Sequence, residues 1–263
     1  MSHLIVNSLV PPYKEDSKTL CRYVCQCLKQ ENVGIVNVET VHDILLNSIS
    51  DDNESLDYKD TVGFIDAYRF LHKLSTDQDA GLMERNLICD VHKILMKHRA
   101  HLCTVGKYSE KERITEFEGT IHYYTRCRDI EHTMQILFDE FNRRLDAINR
   151  NRKKNEKEAL FNLVRLTSWF VYTFLETHPF SDGNGRLCRV LFTFIMEAYG
   201  FPFPTPLFWY SKEEIRTKDS NQEYRSWCTL LSNIRLTHDF SQLENCIMFS
   251  LKKCCKTFLF ELQ

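Results

Sequence analysis

Glycine and proline are scarce in this chain, 8 and 6 among 263 residues. That scarcity excludes a flexible linker, a Pro-rich spacer and a low-complexity tail, and no internal repeat is visible. No sign of charge dominates either: 34 Lys and Arg stand against 36 Asp and Glu. Without a basic excess, neither nucleic acid nor an anionic membrane surface is expected as a partner, and any polyanion must be met locally. A long apolar run is missing from the start, MSHLIVNSLVPPYKEDSK, where LIV and LV are split by Asn7 and Ser8 and ended by Pro11. The stretch reads as neither signal peptide nor membrane span. Paired C-x-x-C units are absent as well. The cysteines number 11, with spacings such as Cys21, Cys25, Cys27 and Cys254, Cys255, and read as scattered buried thiols of a cytoplasmic protein rather than disulfides or a zinc site. The sequon at Asn53 is then silent. Lastly, the phosphate-binding pattern G-x-x-x-x-G-K-[ST] does not occur, so a phosphate device here must be of another kind.

Helical periodicity fills most of what remains. Met134, Leu137, Phe138, Phe141 and Leu145 recur at three and four residues, and Leu82, Leu87, Val91, Ile94 and Leu95 do so less strictly, predicting amphipathic outer helices. LFNLVRLTSWFVYTFLE, Leu160 to Glu176, and LCRVLFTFIMEAYG after it are apolar on nearly every face and predict the buried centre of a bundle. One segment breaks the pattern: EFEGTIHYY, Glu116 to Tyr124, alternates around Gly119 and predicts a short hairpin. The expected class is all-α, in one domain.

Between the two buried helices lies HPFSDGNGR, residues 178 to 186. Pro179 disfavours a helical His178, and helix resumes near Gly183 to Gly185, so the motif is a loop feeding a helix N-terminus. Such a terminus offers unpaired N–H groups and the positive end of the helix dipole, and glycines let an anion approach the backbone closely. Further along, Arg186, Arg189 and Thr193 form one polar stripe on an apolar helix, and arginines inside a core need anions. Asp182 suits a hard cation bridging phosphate oxygens, and His178 suits proton acceptance near neutral pH. Singly, each residue fits a turn, a packed histidine or a structural ion pair. Seven fixed types in nine positions, however, arise by chance only about once per 10⁹ starting points.

At these residues the chain resembles the Fic family, whose signature His-Pro-Phe-x-Asp/Glu-Gly-Asn-Gly-Arg-x-x-Arg is matched by His178 through Arg189 at every fixed position. The resemblance implies a Fic-fold helical bundle with a short β-hairpin flap, and transfer of AMP from ATP to a Ser, Thr or Tyr hydroxyl of a protein, with Mg²⁺. It implies His178 as the base, Asp182 as the Mg²⁺ ligand, Gly183, Asn184, Gly185 and Arg186 on the phosphates, Arg189 on the γ-phosphate and Phe180 as the loop's anchor. Its target proteins include chaperones and GTPases, with self-modification and a homodimer as further expectations.

A second signal lies upstream. Leu20, Val24, Cys27 and Leu28 share a helical stripe with Glu31, before Asn32 and Gly34 end it. A buried carboxylate needs a cation, and on periodicity alone Glu31 is equally well an exposed residue of a frayed end. Many Fic proteins carry an inhibitory motif Ser/Thr-x-x-x-Glu-Gly/Asn, which Cys27 through Asn32 resembles except at its first position. The resemblance implies a Glu31 to Arg189 pairing that holds the enzyme off; the same glutamate serves AMP removal in some members. The rival Ser50 to Ser55 lacks Gly or Asn after Glu54. By the same likeness the hairpin is the flap, with Thr120, Ile121 and His122 positioning the target, and Tyr224 and Asn233 flank the adenine. The expected layout is an inhibitory helix at about 16–36, a Fic core at about 80–200 and C-terminal helices over 201–263. The helix SQLENCIMFSLKKCCKTFLFEL is expected to pack on the core.

Overall fold

A computed structural model describes residues 18–46, 55–76, 82–209 and 220–261. Among them nine α-helices and one two-stranded sheet alternate in the order α1 (Lys18–Glu31), α2 (Val38–Leu46), α3 (Leu56–Thr76), α4 (Arg85–Leu95), β1 (Ile114–Phe117), β2 (Thr120–Tyr123), α5 (Ile130–Arg152), α6 (Glu156–Thr177), α7 (Asn184–Tyr199), α8 (Ser220–Thr237) and α9 (Ser241–Glu261). No described helix is long and apolar enough to cross a membrane, and all eleven cysteines are free thiols.

The centre is α7. Thirteen of its residues are buried, from Asn184 to Tyr199, as its all-round apolar sequence requires. Helix α6 precedes it and packs along α5, which buries Met134, Leu137, Phe138 and Phe141 as their spacing predicts. α6 is less enclosed than expected, since Phe161 is exposed and Arg165 lies over its ring. Leu82 also departs from expectation: α4 starts only at Arg85, and Leu82 stands exposed ahead of it. On the other side of α7 lies α3, held by a polar clamp in which Glu197 accepts from Tyr68 Oη at 2.9 Å and faces His72 Nδ1 at 2.9 Å.

Helix α1 differs most from its predicted stripe. Ten residues from Leu20 to Gln30 are buried, Cys25 and Gln26 included. Periodicity captured one contact face, but α2, α3, α7 and α8 all touch this helix, and Thr19, Arg22, Tyr23 and Gln26 border a crevice with Phe203, Pro204, Pro206 and Trp209. Helix α9 packs on the core through Leu243, Ile247 and Leu251 while Met248 and Phe249 face outward. It too encloses α1, since Cys254 lines the same crevice.

The hairpin begins two residues before the predicted start. β1 and β2 are antiparallel, pairing Ile114 with Tyr123, Thr115 with His122, Glu116 with Ile121 and Phe117 with Thr120. Glu118 and Gly119 make the two-residue turn, both at positive φ (50° and 76°), the left-handed pair that a tight hairpin requires. Tyr124 falls just past the strand.

Candidate functional site

The signature loop joins α6 to α7. Its first residue, His178, caps α6 in a left-handed conformation (φ 49°, ψ 58°), its N–H donating to the Phe174 carbonyl. A non-glycine residue held there stores about 1 kcal/mol or more of backbone strain, so the surroundings must over-determine the position. They do so at three points. Phe180 is fully buried, stacked on His92 with centroids 3.8 Å apart and edge-on to Tyr108. The Pro179 carbonyl accepts from Ser109 N–H at 2.8 Å. The Asn184 side chain closes the loop from inside, accepting from Phe180 N–H (3.0 Å) and donating to its carbonyl (2.8 Å).

His92 does more than fill space. Its Nδ1 accepts from Gly106 N–H at 2.9 Å, so Nε2 carries the proton and donates to the Asp182 carbonyl at 3.0 Å. Burial pushes its pKa down to about 4, keeping the ring neutral and in this tautomer. Gly183 follows at φ 77°, and a Cβ there would lie 2.6 Å from Met96 Sδ, so only glycine opens α7 in this way.

His178 stacks on Tyr124, with centroids 4.0 Å apart and planes 18° apart. Its pKa is pushed down to about 4, chiefly by burial and next by the Arg113 guanidinium, against a hydrogen bond to the Leu175 backbone carbonyl that works the other way. At neutral pH the imidazole is therefore uncharged and has a nitrogen lone pair to offer.

Both arginines of the signature are buried and both have found anions, which are carboxylates of this chain. Arg186 pairs with Asp60 of α3 at 3.0 Å, and Asp60 also takes a two-pronged contact from Arg99 at 2.7 and 2.5 Å. Arg189, 1% exposed, meets the Glu31 carboxylate through Nη1 and donates from Nε to Gln30 Oε1 at 2.6 Å, while its Nη2 finds no hydrogen-bond partner among the described residues. Two consecutive side chains at the end of α1 thus hold one guanidinium. The carboxylate lies against Gly185: a Cβ built there would come within 2.5 Å of Oε2 and nearer still to Oε1. Glu31 keeps a side-chain exposure of 24%. Thr193, the third member of the stripe, meets no anion and donates to the Thr205 carbonyl at 2.7 Å.

The Asn184 amide is engaged with Phe180, an internal brace for a tight loop, and its backbone lies at the start of α7. Arg186 points to Asp60 before any ligand arrives. Asp182 is 46% exposed, with Oδ1 accepting from Gly183 N–H at 2.6 Å and Oδ2 lying 3.4 Å from Arg186 and 3.8 Å from Arg99. Among the described residues no group of three or more His, Cys, Asp or Glu could cage a metal; Mg²⁺ needs no such cage when substrate phosphates supply further ligands, and a single accessible carboxylate beside the cradle fits that case. Thr120 and Ile121 of the hairpin are exposed, whereas His122 turns inward, its Nε2 3.2 Å from Glu176. Asn233 is exposed on α8, and Tyr224 lies on the same helix with its side chain outside the described residues, as is the segment Ser50 to Glu54. Asp60, His92, Gln30 and Tyr124 escaped sequence reasoning. Only His92 gave a signal, as the one histidine on the apolar face of α4.

A helical bundle whose central helix starts at a glycine-bearing loop beside a buried neutral histidine defines a recognisable class. Residues 82–196 match the Fic/DOC family, so this part of the chain is a domain of that family. It is 22% identical over 147 residues to the protein adenylyltransferase Fic of Nematostella vectensis, covering 56% of this chain and 30% of that protein. It is 31% identical over 122 residues to the ribonucleoside-diphosphate reductase small chain of Ostreid herpesvirus 1, covering 45% of this chain and 20% of that one. The chain thus spans less than a third of the length of these relatives. In fold it is similar to a Fic domain containing signaling protein from Bacteroides thetaiotaomicron, with a TM-score of 0.71 at 17% identity over 96% of this chain and 93% of that one.

Proposed function

We propose that this chain is a protein adenylyltransferase that holds itself off, moving AMP from ATP to a Ser, Thr or Tyr hydroxyl of a target protein or of itself. The observation that carries the reading is the position of Glu31: its carboxylate sits on Arg189 and against Gly185, where a phosphate of a bound nucleotide would find the same guanidinium and the same open backbone. In this reading the segment about 16–36 is the inhibitory helix, about 80–200 the catalytic core and 201–263 its C-terminal support.

With Glu31 withdrawn, the start of α7 supplies backbone N–H groups from Gly183 to Gly185, and Arg189 supplies its freed guanidinium to the terminal phosphate. Asp182 would hold Mg²⁺, which supplies neutralisation of phosphate charge. His178, neutral at working pH, accepts the proton of the target hydroxyl while that oxygen bonds to the α-phosphorus; the bond to the β-phosphate oxygen breaks and pyrophosphate leaves. Positioning and electrostatics do most of the work in such a transfer. The partial exposure of Glu31 also favours a second reading, in which the same carboxylate directs water at an AMP-modified target.

The test incubates wild type, Glu31→Gly and Glu31→Gly/His178→Ala with Mg²⁺ and ATP labelled on the α- or γ-phosphate. α-Label on protein with Glu31→Gly alone is the expected result. No label in any variant despite ATP binding would refute adenylyl transfer, and release of AMP from a modified target by wild type would favour the second reading.

A further inference from the structure

Beside His178 lies a run of side chains that links the hairpin to the far helix. Tyr124 stacks on the imidazole at 4.0 Å, and His122 meets Tyr124 edge-on at 4.9 Å and 86°. His122 Nε2 lies against Glu176 Oε2 at 3.2 Å, a packing and charge contact without hydrogen-bond alignment, and Glu176 takes both prongs of Arg235 on α8, Nε at 3.1 Å among them. Tyr124 is fixed from the backbone as well: its N–H donates to the Arg113 carbonyl at 3.2 Å, and Arg113 in turn donates to the Thr125 carbonyl at 2.8 Å. None of this is needed to close the loop, which Phe180, Asn184 and His92 already do.

We propose that Tyr124 is a positioning residue for His178, setting the plane of the imidazole, and that the Glu176–Arg235 pair fixes Tyr124 through His122. The proposal rests on the reading of His178 as the base. Backbone conformation and the hydrogen bond to Leu175 leave the ring free to rock about its side-chain bonds, and an aromatic face at stacking distance removes that freedom. A base must point its lone pair at the attacking hydroxyl, and errors of an ångström in such placement cost about 100-fold in rate. Because Tyr124 follows directly on β2, whatever holds the hairpin also holds the ring. Glu176, two residues before His178 on α6, ties both to a helix outside the segment that matches the family.

The experiment compares wild type, Tyr124→Phe, Tyr124→Leu and Glu176→Gln, with histidine ring signals followed by NMR and assigned to His178 by its loss in His178→Ala. Ring-current shifts of the His178 protons are expected to persist in Tyr124→Phe, to collapse in Tyr124→Leu and to broaden in Glu176→Gln. In the Glu31→Gly background, Tyr124→Leu is expected to lower the labelling rate about 10- to 100-fold at unchanged KM for ATP, with Tyr124→Phe restoring it. Unmoved His178 signals in Tyr124→Leu overturn the proposal, and so does an undiminished rate where label forms. If no variant forms label, the transferase reading falls and the NMR comparison alone decides whether Tyr124 orients the ring. Tyr124→Phe, which keeps the aromatic face, separates loss of stacking from loss of fold.

Discussion

Gly185→Ala is the substitution whose sign reports directly on where Glu31 sits. Gly185 lies in the first turn of α7, outside the residues at positive φ, so its backbone accepts alanine and the helix gains up to about 1 kcal/mol. The added methyl, however, would lie 2.5 Å from Glu31 Oε2 and 2.6 Å from the carboxyl carbon, about 1 Å inside ordinary contact. The carboxylate must swing away, and Arg189, 1% exposed, loses its counter-charge. Breaking a buried pair from one side costs about 3–5 kcal/mol. The residual Gln30 contact and the partial exposure of Glu31 reduce that figure, leaving a net loss of about 1–3 kcal/mol. In a Glu31→Ala background the obstacle is gone, and Gly185→Ala should stabilise by up to about 1 kcal/mol. Urea unfolding of the four proteins gives the cycle, with an expected coupling of about 1–4 kcal/mol. The same sign in both backgrounds would refute the placement of the carboxylate. Gly185→Ala should also remain silent in the labelling assay although it evicts Glu31, because the methyl fills the space a phosphate needs.

Three further outcomes follow from single contacts. Gln30→Leu removes the acceptor of Arg189 Nε and leaves a buried charged donor unsatisfied; a loss of about 1–3 kcal/mol by urea unfolding is expected, and a loss below experimental error would mean that Glu31 alone holds the arginine. Asp60→Asn withdraws the charge shared by Arg99 and Arg186 and should destabilise by about 3–5 kcal/mol, with unfolding at low and high salt checking that the effect is electrostatic. His92 has a pKa lowered from 6.5 to about 4, so on acidification the unfolded chain takes the proton first. Its contribution is complete above pH 6.5 and is lost as pH falls to 4, by about 3 kcal/mol. Unfolding free energies at pH 7, 5.5 and 4.5, about these bounds, should show that slope in wild type and a shallower one in His92→Gln.

The parts of this site that were legible in the sequence are those in which chemistry and spacing coincide. His178 to Arg189 could be read because loop residues, glycines and a helix start follow one another within a dozen positions. The meeting of Glu31 with Arg189 was accessible only through the likeness of Cys27 to Asn32 to the family's inhibitory motif, since periodicity left Glu31 equally well paired or exposed at a frayed end. Asp60 was not legible, since the contact joins residues 126 apart and nothing in the sequence sets it apart from Asp57 and Asp66 on the same helix. Nor was Tyr124, whose role depends on the loop folding back against the hairpin and on no periodicity of its own. The hairpin was found from its turn, but its start was misplaced because the apolar pair Ile114 and Tyr123 is exposed while the polar pair Thr115 and His122 is half-buried, which inverts the apolar-in alternation that marks a strand. The enclosure of α1 escaped for the opposite reason: buried Gln26, Lys29 and Gln30 do not look apolar in a list of residue types.

That enclosure constrains how Glu31 can leave Arg189. Withdrawing α1 as a body would expose Leu20, Tyr23, Val24 and Leu28, each 2% exposed or less. At about 1.5–3 kcal/mol for each side chain, the sum is about 6–12 kcal/mol, comparable with the whole stability of a domain. Swinging the helix out is then hardly cheaper than unfolding. The last turn is a smaller matter: Asn32 caps it at φ 51° with its N–H on the Lys29 carbonyl, and Gly34 N–H donates to Asp57 at 3.0 Å. Opening there breaks a few hydrogen bonds and the ion pair while the apolar face stays buried. Native-state hydrogen exchange separates the two routes. Amides of Val24 to Leu28 should exchange only with global unfolding, and the Asn32 to Gly34 amides by a lower-energy opening. Exchange of both groups at one intermediate free energy, below the global value, would show the helix leaving whole and would overturn the energetic argument.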